Sequence, residues 1–193
     1  MAARGPYAKG VAKRDEILDA AMEVFAQNGY DRTSVREIAR QTGLSQAGLL
    51  HHFSTKEELF LEVLRRRDDR SLDSDERSHK HSVDRLMRAV DRNSEEPGLV
   101  RLFVAMSAES AQDASVAHGF FAERYRWLLD EIAQDVRVHQ ASGELPAGLD
   151  PEGIASLLVA AADGLQLQWL LNPGSVDMGA RIRTLWEALR KTT

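Results

Sequence analysis

A chain of 193 residues, 43% of them apolar, can bury a core in one compact unit or in two small domains, which excludes disorder of the whole. It has no cysteine, so disulfides, thiol catalysis and cysteine-based zinc sites are excluded. The net charge of −5 is unevenly placed: residues 1–56 hold eight Lys/Arg against six Asp/Glu, so a local basic face is compatible with a nucleic-acid partner.

Residues 1–12, with Arg4, Gly5, Pro6, Lys9 and Gly10, read as an arm ahead of the fold. No apolar region there resembles a signal peptide, and the expected setting is cytoplasmic. A first helix is predicted from Lys13 to Asn28, with Ile17, Ala21, Val24 and Phe25 at helical spacing and Gly29 as the stop. Ser34-Val-Arg-Glu37 is a capping box opening a second helix that carries Val35, Ile38 and Ala39 on one face. Gly43 supplies a tight turn and Ser45 restarts a third helix as its N-cap. Thr55-Lys-Glu-Glu58 is another capping box, opening a helix over Lys56–Arg70. Two short helices around a glycine turn make a helix-turn-helix, whose second helix enters the major groove of DNA.

The polar tract Ser71–Ser82 separates this region from a run of further helices. They are predicted over Val83–Val90, Leu99–Ala108, Val116–Ala141, Asp150-Pro151 to Asn172 and Met178–Lys191. No strand pattern or repeat stands out. The fold class is all-α, about nine helices: residues 1–55 an arm and DNA-binding domain, residues 56–193 a connecting helix and a second helical domain. The very apolar Ile154–Leu171 contains Ser156, Asp163, Gln166 and Gln168 and reads as a buried helix, not a membrane span.

With Leu49 and Phe53 turned inward, Gln46, Ala47, Leu50 and His51 form the outer face of the third helix. Gln can pair bidentately with adenine, an Ala methyl can meet a thymine methyl, and His can donate to a base edge or phosphate. Thr33, Ser45 and Lys56 lie at helix starts, where free amides suit phosphate.

Gly29-Tyr30, Thr33-Ser34-Val35, Glu37-Ile38-Ala39, Gly43-Leu44-Ser45 and His51-His52-Phe53-Ser54-Thr55-Lys56-Glu57-Glu58-Leu59 resemble the DNA-binding region of TetR/AcrR-type regulators. Asp163-Gly-Leu-Gln-Leu-Gln-Trp-Leu-Leu171 is similar to the BetI-like subgroup. The chain departs from the family at Leu50, where a phosphate-contacting Tyr is usual, and at Gly48, where a hydroxyl residue is common. The resemblance adds Arg36 as a base contact and His52 to the DNA-facing set, and it implies double-stranded DNA with a pseudo-palindromic operator as partner.

It also implies a ligand cavity between long helices. Phe103, Met106, Phe121, Tyr125 and Trp169 could line it, with Glu109 and Asp163, two carboxylates within apolar helices, receiving a cationic or hydrogen-bonding small molecule. The alternative for each carboxylate is a structural ion pair, for Glu109 with Arg124 or Arg101. Ile154, Leu158 and Leu165, with Ile182, Leu185, Trp186 and Leu189, are expected to form a four-helix homodimer interface, as in the resembled family.

His79 and His81 give only a weak metal signal, no phosphate loop or nucleophile motif is present, and no cofactor is expected. The leading reading is a repressor released from DNA by a small molecule. The others are a DNA-binding dimer without an inducer, and a helical enzyme or binding protein with an incidental helix-turn-helix.

Overall fold

The structure is a computed structural model and describes residues 6–71, 82–112 and 114–191. Among these residues there are nine α-helices and no strand: α1 (Pro6–Arg32), α2 (Val35–Gln41), α3 (Gln46–His52), α4 (Lys56–Ser71), α5 (Ser82–Asn93), α6 (Pro97–Glu109), α7 (His118–Ala141), α8 (Pro151–Leu171) and α9 (Met178–Arg190). The chain divides into two compact units, Met1–Asp68 and Asp69–Thr193, with the last residues of α4 carrying it from one to the other.

In the first unit α1 starts earlier than its hydrophobic spacing indicates. Residues 6–12, expected as an arm, are helical. Pro6 suits a first helical turn, and a single interior glycine, Gly10, costs only about 1 kcal/mol against Ala. Residues 1–5 lie outside the described residues. The helix is broken where the glycine signal falls: Gly29 has φ 78 and ψ 173. Ile17, Ala21 and Phe25 of α1 are fully buried, and with Ile38, Leu49, Phe53, Leu59 and Phe60 they belong to the core of this unit. Phe60 meets Phe25 edge-on at 5.1 Å and Tyr30 at 4.7 Å between ring centres.

In the second unit α8 packs against α6, α7 and α9, and α5 against α7 and α9. Tyr125 of α7 meets Asp163 of α8, and further along α7 Arg137 pairs with Glu152 near the start of α8, so the two helices run antiparallel. Asp150 caps α8, accepting from the Gly153 amide at 3.1 Å. Asp135 of α7, fully buried, accepts from the Val83 amide in the first turn of α5 at 2.9 Å. Gly179 allows α9 to approach α5 closely: a Cβ there would overlap the Asp91 carboxylate, which holds Arg183 at 2.8 Å.

Four residues expected at a dimer interface are instead in the core of their own unit. Ile154, Leu158, Ile182 and Trp186 have relative exposures of 4, 0, 0 and 5%. The reason is that α8 is apolar on both sides and that α9 carries two adjacent apolar pairs, Ile182 with Trp186 and Leu185 with Leu189, so spacing alone does not say which side faces its own core. The outward side carries Leu157, Leu167 and Leu171, exposed by 61, 48 and 78%, while Leu165, Leu185 and Leu189 are partly buried at the core edge. By length and composition α8 could cross a bilayer, but its inward side packs into this core and Asp163, mid-helix, is hydrogen-bonded to Tyr125.

Candidate nucleic-acid interface and ligand site

The helix-turn-helix is built by three local devices. Ser34 caps α2, its hydroxyl accepting from the Glu37 amide at 3.2 Å. The reciprocal half of the expected capping box is not made: the Glu37 carboxylate accepts from Asn28 Nδ2 at 3.3 Å, tying α2 to α1. At the other end of α2 the Gly43 amide donates to Arg40 O and the Leu44 amide to Ala39 O at 2.8 Å, with Gly43 at φ 66. This double closure is the Schellman arrangement, which needs a left-handed residue at the glycine position. Ser45 then caps α3, accepting from the Gly48 amide at 3.0 Å. At α4 the Glu58 amide donates to Thr55 Oγ1 at 3.0 Å, while the Glu58 carboxylate reaches one residue further back, to the Ser54 amide at 2.7 Å.

These devices present α3 as its spacing implies. Leu49 and Phe53 are fully buried; Gln46, Ala47 and His51 are exposed and Leu50 is half-buried. Arg36 on α2 and Ser45 at the head of α3 are exposed as well. His52 is half-buried, its ring 5.9 Å from that of His51. Lys56 Nζ lies 4.2 Å from the centre of the Tyr30 ring. The Tyr30 hydroxyl donates to Glu57 at 3.0 Å; a hydrogen bond from its own backbone amide and then this one hold the Glu57 carboxyl below the usual carboxylate range.

Thr33, expected at a phosphate, does not face outward. It is buried and its hydroxyl donates to Gly29 O at 2.7 Å, satisfying a carbonyl left over at the α1 kink. Spacing gives Lys13 and Arg14 of α1 no partner, because both bond backbone carbonyls distant in sequence. Lys13 Nζ donates to Thr42 O at 2.6 Å, and Arg14 Nη1 to His52 O at 2.8 Å.

In the second unit several ligand-site candidates come together. The Phe103 and Phe121 rings meet edge-on at 5.1 Å, and Phe121 lies 6.4 Å from Tyr125. The Tyr125 hydroxyl donates to Asp163 Oδ2 at 2.7 Å. Burial first, and then the charge of Asp163, push the Tyr125 hydroxyl well above its usual range. Arg124 stacks 4.7 Å from the Phe103 ring centre. Met106 is buried on the same helix as Phe103, and Trp169 is partly buried against the core. Gln166, one helical turn beyond Asp163, is 5% exposed and its Oε1 has no hydrogen-bond partner.

Glu109 departs from expectation. It is the last residue of α6 and is exposed, so it is neither a buried carboxylate nor part of this group. A helix end escapes the burial of the apolar run that precedes it. His79 and His81 lie outside the described residues.

Residues 17–63 match the family model described as bacterial regulatory proteins, tetR family, and residues 82–192 match that of the BetI-type transcriptional repressor C-terminal region. The transcriptional regulator UidR of Escherichia coli K12 is 26% identical over 155 residues, 79% of each chain. The structure of Salmonella enterica GusR is similar with a TM-score of 0.72 and 27% identity, covering 93% of this chain and 96% of that one. A transcriptional regulator from Saccharomonospora viridis, solved in complex with choline, has a TM-score of 0.73 and 25% identity over 94% of this chain and 97% of its own.

Proposed function

The chain belongs to the TetR family of bacterial regulatory proteins, with a BetI-type C-terminal region, and is a DNA-binding transcriptional regulator; we propose that it is a homodimeric repressor, released from a pseudo-palindromic operator by a small molecule held in its second unit. The observation that carries the DNA side is the sorting of α3: Leu49 and Phe53 fully buried, Gln46, Ala47 and His51 exposed. Gln46 reads adenine, Ala47 a thymine methyl, and His51 a base edge or phosphate. Arg36, Ser45, Leu50, His52 and Lys56 complete the contact surface; Thr33 supports it from beneath through Gly29. Ser45 uses its hydroxyl oxygen to cap α3, and its proton remains available to a phosphate.

The ligand reading rests on Asp163, an acid in the middle of the most apolar helix, with the Tyr125 hydroxyl on it and the Phe121 ring 6.4 Å from that of Tyr125. A carboxylate near an aromatic cluster suits a small cation. The buried Gln166 Oε1 asks in addition for a hydrogen-bond donor. Choline, held by the Saccharomonospora viridis regulator, combines a cationic centre with a hydroxyl and is the first compound to test.

For the dimer we propose the outward side of α8, where Leu157, Ala160, Gly164, Leu167 and Leu171 recur at alternating steps of three and four, with Leu185 and Leu189 of α9 at its edge. That spacing is a helix–helix seam. The protein then works in the cytoplasm and without catalytic turnover.

The test is selection of duplexes from a random pool by the wild type, followed by titration of the selected duplex with and without choline. Enrichment of an inverted repeat, and weaker binding with choline present, are expected. Absence of any enriched sequence would refute the DNA reading; enrichment with no effect of choline would refute choline as the ligand and leave the DNA reading standing.

A further inference from the structure

Two consecutive cations of α1 reach the C-terminal ends of two different helices. Lys13 Nζ donates to Thr42 O, at the residue that caps α2, and Arg14 Nη1 donates to His52 O, the last residue of α3. The last carbonyls of a helix lack intrahelical donors and carry the negative end of its dipole, so both bonds are charge-assisted. Arg14 makes two further contacts. Its guanidinium sits 4.1 Å from the centre of the Phe53 ring, and its Nη2 donates to Glu62 Oε2 of α4 at 3.2 Å. One turn along α4, Arg66 bonds Asp19 at 3.0 Å and Asp15 at 2.8 Å, both on α1. Burial disfavours that cation, yet the bonds and charges of Asp19 and then Asp15 outweigh it and hold its pKa above the usual arginine value. The α1–α4 pair is thus riveted, and Arg14 extends the rivet to the end of α3.

We infer that Arg14 is a positioning residue for DNA readout: by holding the His52 carbonyl and the Phe53 ring to α4 through Glu62, it sets the direction in which α3 meets the groove. The inference rests on the DNA-binding function and goes from the residues that face DNA to one that aims them. α3 has only seven residues, about two turns, and too few internal bonds to hold its own axis. Arginine fits the task because its planar fork can bond a carbonyl with one nitrogen and a carboxylate with another while its face lies on an aromatic ring. Lysine has a single nitrogen and can keep the charge without the fork. A shift in α3 moves Gln46 and Ala47 off their base edges but leaves the phosphate contacts, which are sequence-independent, largely in place.

The experiment compares wild type with R14Q, R14K, E62Q and the double variant. Each is titrated on a duplex selected by the wild type and on an unrelated duplex of equal length, and hydrogen exchange is followed in the DNA-free protein. R14Q should weaken the selected duplex roughly 5- to 150-fold, the range of one lost bidentate base contact. Its affinity and salt slope on the unrelated duplex should stay near wild type. R14K should recover part of the loss, and E62Q should add nothing once Arg14 is gone. Without DNA, the Phe53 amide, which donates to Leu49 O at 3.1 Å, should exchange faster in R14Q while the α2 amides do not.

Equal loss on both duplexes, with the salt slope lower by about 0.9, would make Arg14 a phosphate ligand and overturn the inference. Faster exchange throughout the first unit would overturn it as a mere stability effect, and so would unchanged sequence preference with unchanged exchange at Phe53. If R14Q does not fold, the same readings are taken from R14K and E62Q. If the wild type selects no duplex, the DNA reading fails, and exchange at Phe53 still decides whether Arg14 holds α3.

Discussion

The Tyr125 hydroxyl of α7 donates to Asp163 Oδ2 of α8 across 2.7 Å, joining a phenol to a carboxylate in the middle of the most apolar helix of the chain. Burial, and then the Asp163 charge, raise the tyrosine pKa above its ordinary 10.0. The folded state therefore holds that proton more tightly than the unfolded chain does. The resulting stability is fully present below pH 10 and is lost as pH rises towards the raised value. Tyr125→Phe removes the titrating group, so its urea midpoint should fall less between about pH 8 and pH 11 than that of the wild type. Parallel curves for the two proteins over that range would contradict the linkage.

Gln46 and Leu49 lie on opposite sides of one short helix, and their alanine variants should separate function from stability. Gln46→Ala should leave the melting temperature unchanged and relax preference at one base pair by about 1–3 kcal/mol if the contact is bidentate. Leu49→Ala empties a fully buried site and should cost roughly 2–5 kcal/mol of stability. Competition titrations on single-substitution duplexes check the first, and denaturant unfolding the second.

Thr33→Val should destabilise the protein by about 0.5–1.5 kcal/mol, because the half-buried Gly29 carbonyl loses its donor. The salt dependence of DNA binding should not change, whereas Lys56→Ala should flatten it by about 0.9 if that cation meets a phosphate. A flatter slope for the Thr33 variant would restore it to the DNA surface.

The outward side of α8 offers a paired test. Leu157→Glu changes a residue that is 61% exposed in the protomer and should give a folded monomer. Leu158→Glu changes its fully buried neighbour and should prevent folding by placing an unpaired charge in the core. Sedimentation velocity and circular dichroism distinguish the outcomes; a folded Leu157→Glu dimer would remove α8 from the interface.

What spacing revealed, and what it did not, divides along physical lines. The all-α class and the inward turn of Leu49 and Phe53 were legible because large apolar residues at helical steps have one place to go. The caps at Ser34, Ser45 and Asp150 were legible because a short polar side chain before a helix has a free amide to meet. The inward turn of Thr33 is not legible, because a hydroxyl at a helix start can turn to a phosphate or to a carbonyl, and only the kink at Gly29 supplies the carbonyl. Arg14 was missed because its partners are a backbone carbonyl, a ring and a carboxylate on three separate segments. The two sides of α8 were confused because both are apolar, and only the packing of α6, α7 and α9 tells them apart.

The close approach at Gly179 also bears on how this sequence can drift. A side chain there would displace the Asp91 carboxylate, and Asp91 cannot simply swing away without releasing Arg183. The crossing of α5 and α9 therefore admits an enlargement at position 179 only by releasing that exposed ion pair. It is open to a two-step route in which Asp91 is shortened first, at the modest cost of an exposed ion pair, and Gly179 enlarged second. Gly179→Ala in the Asp91→Ala background should be nearly neutral, while the same change made alone should cost about as much as the exposed pair it releases, up to about 1 kcal/mol, so the two positions are energetically coupled.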